Sequence, residues 1–146
     1  MNPCFEYTET ELACLSKKDK ALAKIIEEVG PIHRETIPDL FMALVHAIIG
    51  QQISMKAQKT VWERVQTALA PLTPEHLLSL PSDALRSCGL SERKALYIRE
   101  IALAIVHDEL KLDELHALND DEVRTRLSSL RGIGIWTAEM LMIFSM

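Results

Sequence analysis

The segment IPDLFMALVHAIIG, residues 37–50, constrains the fold more than any other part of the sequence. It has proline near its start and, once wound into a helix, is apolar on nearly every side. Such a helix has to be surrounded by other elements, because apolar surface left in water costs free energy. We therefore predict a helix at the centre of a bundle, with Pro38 in its first turn.

The remaining periodicity in the chain is also helical, and no segment reads convincingly as a strand. Residues 17–30 have apolar positions at the i, i+3, i+4 and i+7 spacing of one helix face. Other helix starts are marked by capping residues or by proline at the first helical position: Ser54, Thr73-Pro74, Ser91 and Asn119. The sequence predicts a single all-α domain over residues 1–146, built from roughly eight to ten short helices.

Net charge and composition limit the kinds of partner that the chain can be expected to bind. The net charge of −5 argues mildly against nucleic acid held by bulk electrostatics. Acids nevertheless predominate over residues 107–122, whereas residues 123–138 carry three arginines and no acid. No run approaches the length of about 20 apolar residues that a membrane span needs, and the first ten residues show no export signal. We expect a cytoplasmic protein with no membrane partner, associated with the nucleoid if it is bacterial.

Two glycines interrupt the predicted helices in LSSLRGIGIW, residues 127–136. A dinucleotide-binding GxG follows a strand, so this context argues against a nucleotide cofactor. Glycine lets a phosphate approach the main chain, where amides at the start of the next helix can bind it without reading sequence. Alternatively, Gly132 and Gly134 only allow two helices to pack closely. Arg131 and the apolar residues at 127, 130 and 133 favour DNA.

Three blocks carry a family resemblance: LVHAIIGQQISMKAQKTVWERV, CGLSERKALYI and LRGIGIWTAEMLMIF. They resemble the helix-hairpin-helix superfamily of DNA glycosylases, in its 3-methyladenine DNA glycosylase II branch, over about residues 17–146. The resemblance implies a bundle of short helices with the hairpin at about residues 119–146. It also implies a monofunctional N-glycosylase, which flips an alkylated purine out of damaged double-stranded DNA and hydrolyses its N-glycosidic bond.

The resemblance further implies which residues contact DNA. The loop after the buried helix is expected to fill the gap left by the flipped nucleotide, with Gln52 a better candidate than Gln51. The alternative is that these glutamines cap the carbonyl end of that helix. Main-chain carbonyls of Ser128, Leu130 and Gly132 are expected to hold Na⁺ or K⁺ against a DNA phosphate. The full set of expected DNA-binding residues is Gln51, Gln52, Ser54, Arg131, Gly132, Ile133, Gly134 and Thr137.

Trp136 indicates the reaction type. Relatives that also cut the DNA backbone carry lysine at the matching position, because an amine is needed to form a Schiff base. Tryptophan cannot do this, so the resemblance implies hydrolysis alone, with no cofactor for catalysis. The indole is expected to line the base pocket and stack on a cationic purine, with Met140 and His46 beside it. The alternative is that Trp136 belongs to the core.

The family's essential aspartate lies after the second hairpin helix, and its position falls beyond Met146. Glu139 lies inside that helix, and the acids at 120–122 are explained by a helix start. We therefore leave the catalytic residue unknown and expect the chain to be part of a longer glycosylase, lacking C-terminal helices of its second lobe. The alternatives are a catalytically silent helix-hairpin-helix module that binds the DNA backbone, and a helical interaction domain without a nucleic-acid role.

Overall fold

The computed structural model describes residues 3–146, and the regular secondary structure of these residues is entirely helical. The predicted all-α class and the predicted number of helices are confirmed. Cys4 and Glu35 form an isolated antiparallel β-bridge, which is not part of a strand. The helices are α1 (Glu9–Lys18), α2 (Lys20–Val29), α3 (Leu40–Gly50), α4 (Met55–Ala68), α5 (Pro74–Ser79), α6 (Ala84–Ser87), α7 (Glu92–Val106), a 3-10 helix (Asp113–Ala117), α8 (Asp120–Ser128) and α9 (Ile135–Ser145).

The described residues form two compact units, residues 3–36 and Ile37–Met146. The first unit contains α1 and α2, which pack against each other. The sequence predicts a helix within residues 17–30 but does not predict α1. Helix α2 begins only at Lys20, because the carboxylate of Asp19 accepts hydrogen bonds from the amides of Ala21 and Leu22.

The second unit is built around α3, as the sequence predicts. Leu44 and Ile48 on this helix are completely buried, and α4, α7 and α9 all pack against it. The helix begins at Leu40, after Pro38, whereas the sequence places Pro38 in the first turn. The later start has a local cause: the carboxylate of Asp39 accepts a hydrogen bond of 2.7 Å from the amide of Met42 and so caps the helix.

The predicted capping residues begin four further helices of the second unit. Ser54 caps α4, Thr73 caps α5 and Ser91 caps α7. Asn119 caps α8 in a reciprocal arrangement with Glu122, in which each side chain bonds the other residue's amide. Helices α8 and α9 pack against each other and form the predicted helix-hairpin-helix. None of the helices in residues 3–146 is both long and apolar enough to cross a membrane.

Candidate functional site

The turn between α8 and α9 is anchored from inside. Ile133 is only 4% exposed, and Leu127 at the end of α8 is also buried. The amide of Ile133 donates a hydrogen bond of 3.0 Å to the carbonyl of Leu130. The sequence-based expectation that Ile133 offers its amide to a phosphate is therefore not met, since this amide already has a partner within the turn.

The two glycines of the turn have different structural reasons to be glycine. Gly132 has φ +88°, a left-handed conformation that side chains disfavour. A β-carbon at Gly132 would also press into the ring of Tyr97, which fills this space from α7. Gly134 has an ordinary φ of −87°, and a β-carbon there would meet no atom within 4 Å. Close helix packing therefore explains Gly132 but does not explain Gly134.

The start of α9 is open at the site where an anion would bind. Gly134 is the capping residue and provides no side-chain hydrogen bond to the first turn. Ile135 and Trp136 are exposed, whereas the side chain of Thr137 is nearly buried and unavailable to a ligand. The amides of the first turn carry the positive end of the helix dipole, and a phosphate is the usual ligand of such an end.

Arg131 is held beside this opening while remaining accessible. Its guanidinium forms an ion pair of 2.8 Å with Glu100 and lies 5.6 Å from the ring centre of Tyr97. The Arg131 side chain is still 64% exposed. An exposed ion pair of this kind contributes about 0–1 kcal/mol, so a DNA phosphate can compete for the arginine.

The loop that follows α3 is bonded to the hairpin. The side-chain amide of Gln51 donates a hydrogen bond of 2.7 Å to the carbonyl of Gly132. Gln52 is exposed and has φ +57°, a strained conformation for a residue with a side chain. Ser54, predicted to touch DNA, uses its hydroxyl to accept a bond of 3.2 Å from the amide of Ala57.

The carbonyl end of α3 is bonded by side chains other than the two glutamines. The ammonium of Lys94 donates to the carbonyls of Ile49 and Gln51, at 2.8 and 2.7 Å. The amide of Gln58 donates to the carbonyl of His46 at 3.3 Å. The alternative role for the glutamines is met in part, because Gln51 is the C-terminal capping residue of α3 and its main-chain amide donates to the carbonyl of Ile48 at 3.3 Å. The Gln51 side chain bonds the hairpin instead.

The expected base-pocket residues fall into two environments. Trp136 is 71% exposed, so it does not belong to the core of the described chain. Met140 is half-buried one turn later, on the same face of α9. His46 on α3 instead packs edge-on against Trp62, with ring centres 5.0 Å apart, and its Nε2 lies 3.2 Å from the amide of Gln58.

The expected cation ligands lie where the hairpin turns. Ser128 is the last residue of α8, and the negative end of the helix dipole faces this region. Leu130 and Gly132 each accept one hydrogen bond, from Ile133 and Gln51 respectively. A carbonyl oxygen has two lone pairs, so each of these two oxygens keeps one lone pair that its hydrogen bond does not use.

Lys94, Tyr97 and Glu100 are site residues that the sequence alone does not mark. All three contact the loop or the hairpin, and they are spaced three apart on one face of α7. That spacing, within the block CGLSERKALYI and the residues just after it, is the signal that could have found them.

Comparison with known proteins gives a consistent result. A family model described as HhH-GPD superfamily base excision DNA repair protein matches residues 45–143. DNA-3-methyladenine glycosylase 1 of Schizosaccharomyces pombe is 30% identical over 143 residues, which cover 94% of this chain and 62% of the relative. The chain thus spans about three-fifths of the length of this curated relative.

Two solved structures resemble the fold. The DNA-3-methyladenine glycosidase of Bacillus halodurans superposes with a TM-score of 0.75 at 34% identity, covering 98% of this chain and 67% of that one. The 3-methyladenine DNA glycosylase of Schizosaccharomyces pombe, in complex with abasic DNA, superposes with a TM-score of 0.80 at 28% identity. That likeness covers 92% of this chain and 68% of the other.

Proposed function

Because the chain belongs to the HhH-GPD superfamily of base excision DNA repair proteins, we propose that it acts in the excision of alkylated purines from DNA. The proposed partner is double-stranded DNA with a damaged base of the 3-methyladenine type. The proposed reaction is hydrolysis: the purine is flipped out of the duplex, water replaces it on the sugar, and an abasic site remains. No cofactor takes part in this reaction.

One observation carries the proposal: Gly134 is a glycine that the folded chain itself does not need. Its φ is ordinary, and a β-carbon built at this position would meet no atom of another segment within 4 Å. A ligand that approaches the main chain closely accounts for both facts. The uncapped first turn of α9 and the exposed Arg131 make a phosphodiester the best match. Such a contact holds the duplex without selecting a sequence.

The loop after α3 is the proposed wedge. Gln51 bonds Gly132, so the loop and the hairpin lie side by side in the structure. A hairpin that holds one DNA strand therefore brings Gln52 close to the same duplex. An exposed glutamine can fill the gap left by a flipped nucleotide and bond the orphaned base, which offsets part of the few kcal/mol that flipping costs.

The exposed indole of Trp136 is the proposed recognition surface for the flipped base. A flat aromatic ring stacks on a purine, and a purine made cationic by alkylation gains an additional attraction. Met140, one turn along α9, extends this apolar surface. Trp136 has no amine, so no covalent link to the sugar forms at this position and water remains the attacking group.

We propose that the carbonyls of Ser128, Leu130 and Gly132 hold a monovalent cation that also touches a DNA phosphate. Main-chain oxygens at the negative end of α8 suit a hard cation. Replacing KCl by tetramethylammonium chloride at equal ionic strength should weaken duplex binding about fivefold, because the larger ion cannot enter such a site and the salt screening is unchanged. Fluorescence anisotropy measures this change, and equal affinity in the two salts would contradict the cation site.

A second candidate function is a helix-hairpin-helix module that binds the DNA backbone without catalysis. The observation that favours it concerns two carboxylates that are paired with arginines of the hairpin. Glu100 is paired with Arg131 at 2.8 Å and Glu139 lies 3.8 Å from Arg124, so each is partly neutralised by an arginine. We therefore assign the catalytic carboxylate of the proposed base release to no residue of this chain.

Both candidates are tested with methylated duplex DNA. We expect the chain to bind the duplex with an affinity that falls steeply as salt is raised, since phosphate contacts release counterions. Release of free methylated purines, followed by chromatography, supports the glycosylase. Salt-dependent binding without release supports the module. Failure to bind at low salt would contradict both and leave an interaction domain with no nucleic-acid role.

A further inference from the structure

Lys94 has an unusual environment for a lysine in a chain proposed to bind DNA. Its side chain is half-buried, and its ammonium donates to two main-chain carbonyls, those of Ile49 and Gln51. Burial lowers the pKa of this lysine, and the neighbouring charge of Arg93 acts in the same direction. A partly desolvated charge is costly unless hydrogen bonds satisfy it, and here the carbonyls that end α3 do so.

These bonds fix the main chain next to the proposed wedge. Gln51 is held at both ends, since its carbonyl accepts from Lys94 and its side-chain amide donates to Gly132. The next residue, Gln52, keeps φ +57°. A left-handed residue with a side chain persists only when the surrounding structure determines it. The two hydrogen bonds of Gln51 fix the main chain on the N-terminal side of Gln52 and so help to hold Gln52 in this conformation.

We propose that Lys94 is a positioning residue for base flipping, which keeps the loop of Gln51 and Gln52 in register with the hairpin. Lys94 acts through Gln51 and does not itself contact the flipped base. The proposal rests on the proposed function, because it assumes that the loop enters a duplex held by the hairpin. It adds to that function a residue on α7 that couples insertion of the loop to binding at the turn.

The test compares Lys94→Met with Arg93→Met in duplex DNA that carries 2-aminopurine beside an abasic-site analogue. Each variant removes one positive charge from the same turn of α7, but Arg93 is exposed, and the hydrogen bonds from this turn to Ile49 and Gln51 come from Lys94. Anisotropy reports binding, and 2-aminopurine fluorescence reports unstacking. We expect Arg93→Met to keep the full fluorescence change at saturation. Lys94→Met should still bind but lose about half or more of that change, because the wedge is no longer preorganised.

The outcomes separate the proposal from the function on which it rests. Absence of duplex binding by the unaltered chain would overturn the proposed function itself. A full fluorescence change with Lys94→Met at saturation would overturn only the role of Lys94. Gln51→Ala removes the side-chain bond to Gly132 but leaves the main-chain carbonyl that Lys94 bonds. Combining it with Lys94→Met removes both restraints on the loop and should lower the fluorescence change below that of either substitution alone.

A measurement on the unaltered chain keeps the proposal testable if Lys94→Met does not fold. Nitrogen-15 NMR of the lysine ammonium groups should show one ammonium, assigned to Lys94, that exchanges hydrogen with water markedly more slowly than those of the exposed lysines. Two carbonyl bonds and partial burial predict this protection. Exchange as fast as that of the exposed lysines would overturn the proposal, because the bonds to the loop would then not persist in solution.

Discussion

Replacing Gly134 with aspartate is expected to weaken duplex binding about 100-fold while making the folded chain more stable. The binding loss follows from charge and position, because a carboxylate at the start of α9 would occupy the amides proposed to hold a phosphate and would repel that phosphate. The gain in stability follows from capping. Gly134 provides no cap, and an aspartate there would add a few tenths to about 1 kcal/mol.

The opposite signs of the two effects make this prediction specific. A substitution that simply damaged the hairpin would lower both affinity and stability. Gly134→Asn is the matched control, since asparagine caps equally well without a charge and should lose far less affinity. Gly134→Ala tests whether a ligand comes close to the main chain, because the added β-carbon would obstruct that ligand. The β-carbon meets no protein atom within 4 Å, so stability should hardly change. Anisotropy titrations at low salt and urea unfolding measure the two effects. Unchanged affinity with Gly134→Asp would exclude a phosphate contact at this turn.

The parts of the fold that the sequence predicts are those encoded locally. Capping side chains act on amides two or three residues away, so Ser54, Ser91 and Asn119 mark the starts of their helices without reference to the rest of the chain. The apolar surface of residues 37–50 predicts a central helix for the same reason. Asp39 caps α3, but the sequence does not single it out, because Pro38 beside it is also a common start signal.

The parts of the site that the sequence does not predict depend on packing between distant segments. Gly132 and Gly134 are indistinguishable in the pattern GxG, yet one is required by Tyr97 and the other by nothing in the chain. Likewise, Lys94 reads as an ordinary exposed lysine of an amphipathic helix until α7 is placed against the end of α3. Lys94 and Ile49 are 45 residues apart in the sequence, and Arg131 and Glu100 are 31 apart. Such contacts are beyond the reach of periodicity arguments.

Replacing Gly132 with alanine is expected to lower the free energy of unfolding by about 3 kcal/mol. Two costs contribute. A φ of +88° is unfavourable for any residue with a β-carbon, and that carbon would also press into the ring of Tyr97. The same change at Gly134 should cost almost nothing, because its φ is ordinary and the added β-carbon would meet no atom of another segment within 4 Å. Urea unfolding followed by circular dichroism measures both, and equal costs at the two glycines would contradict the assigned roles.

The contribution of Tyr97 can be separated by adding Tyr97→Ala to Gly132→Ala. With the ring removed, the new β-carbon loses its three nearest neighbours, so the substitution at Gly132 should then cost mainly its backbone strain, about 1–2 kcal/mol. The double variant should therefore be less destabilised than the sum of the single ones, as expected for residues in contact. Strict additivity would mean that the ring moves aside at no cost. In that case Tyr97 would not hold the turn, and its stacking with Arg131 would be the remaining reason for an aromatic side chain at this position.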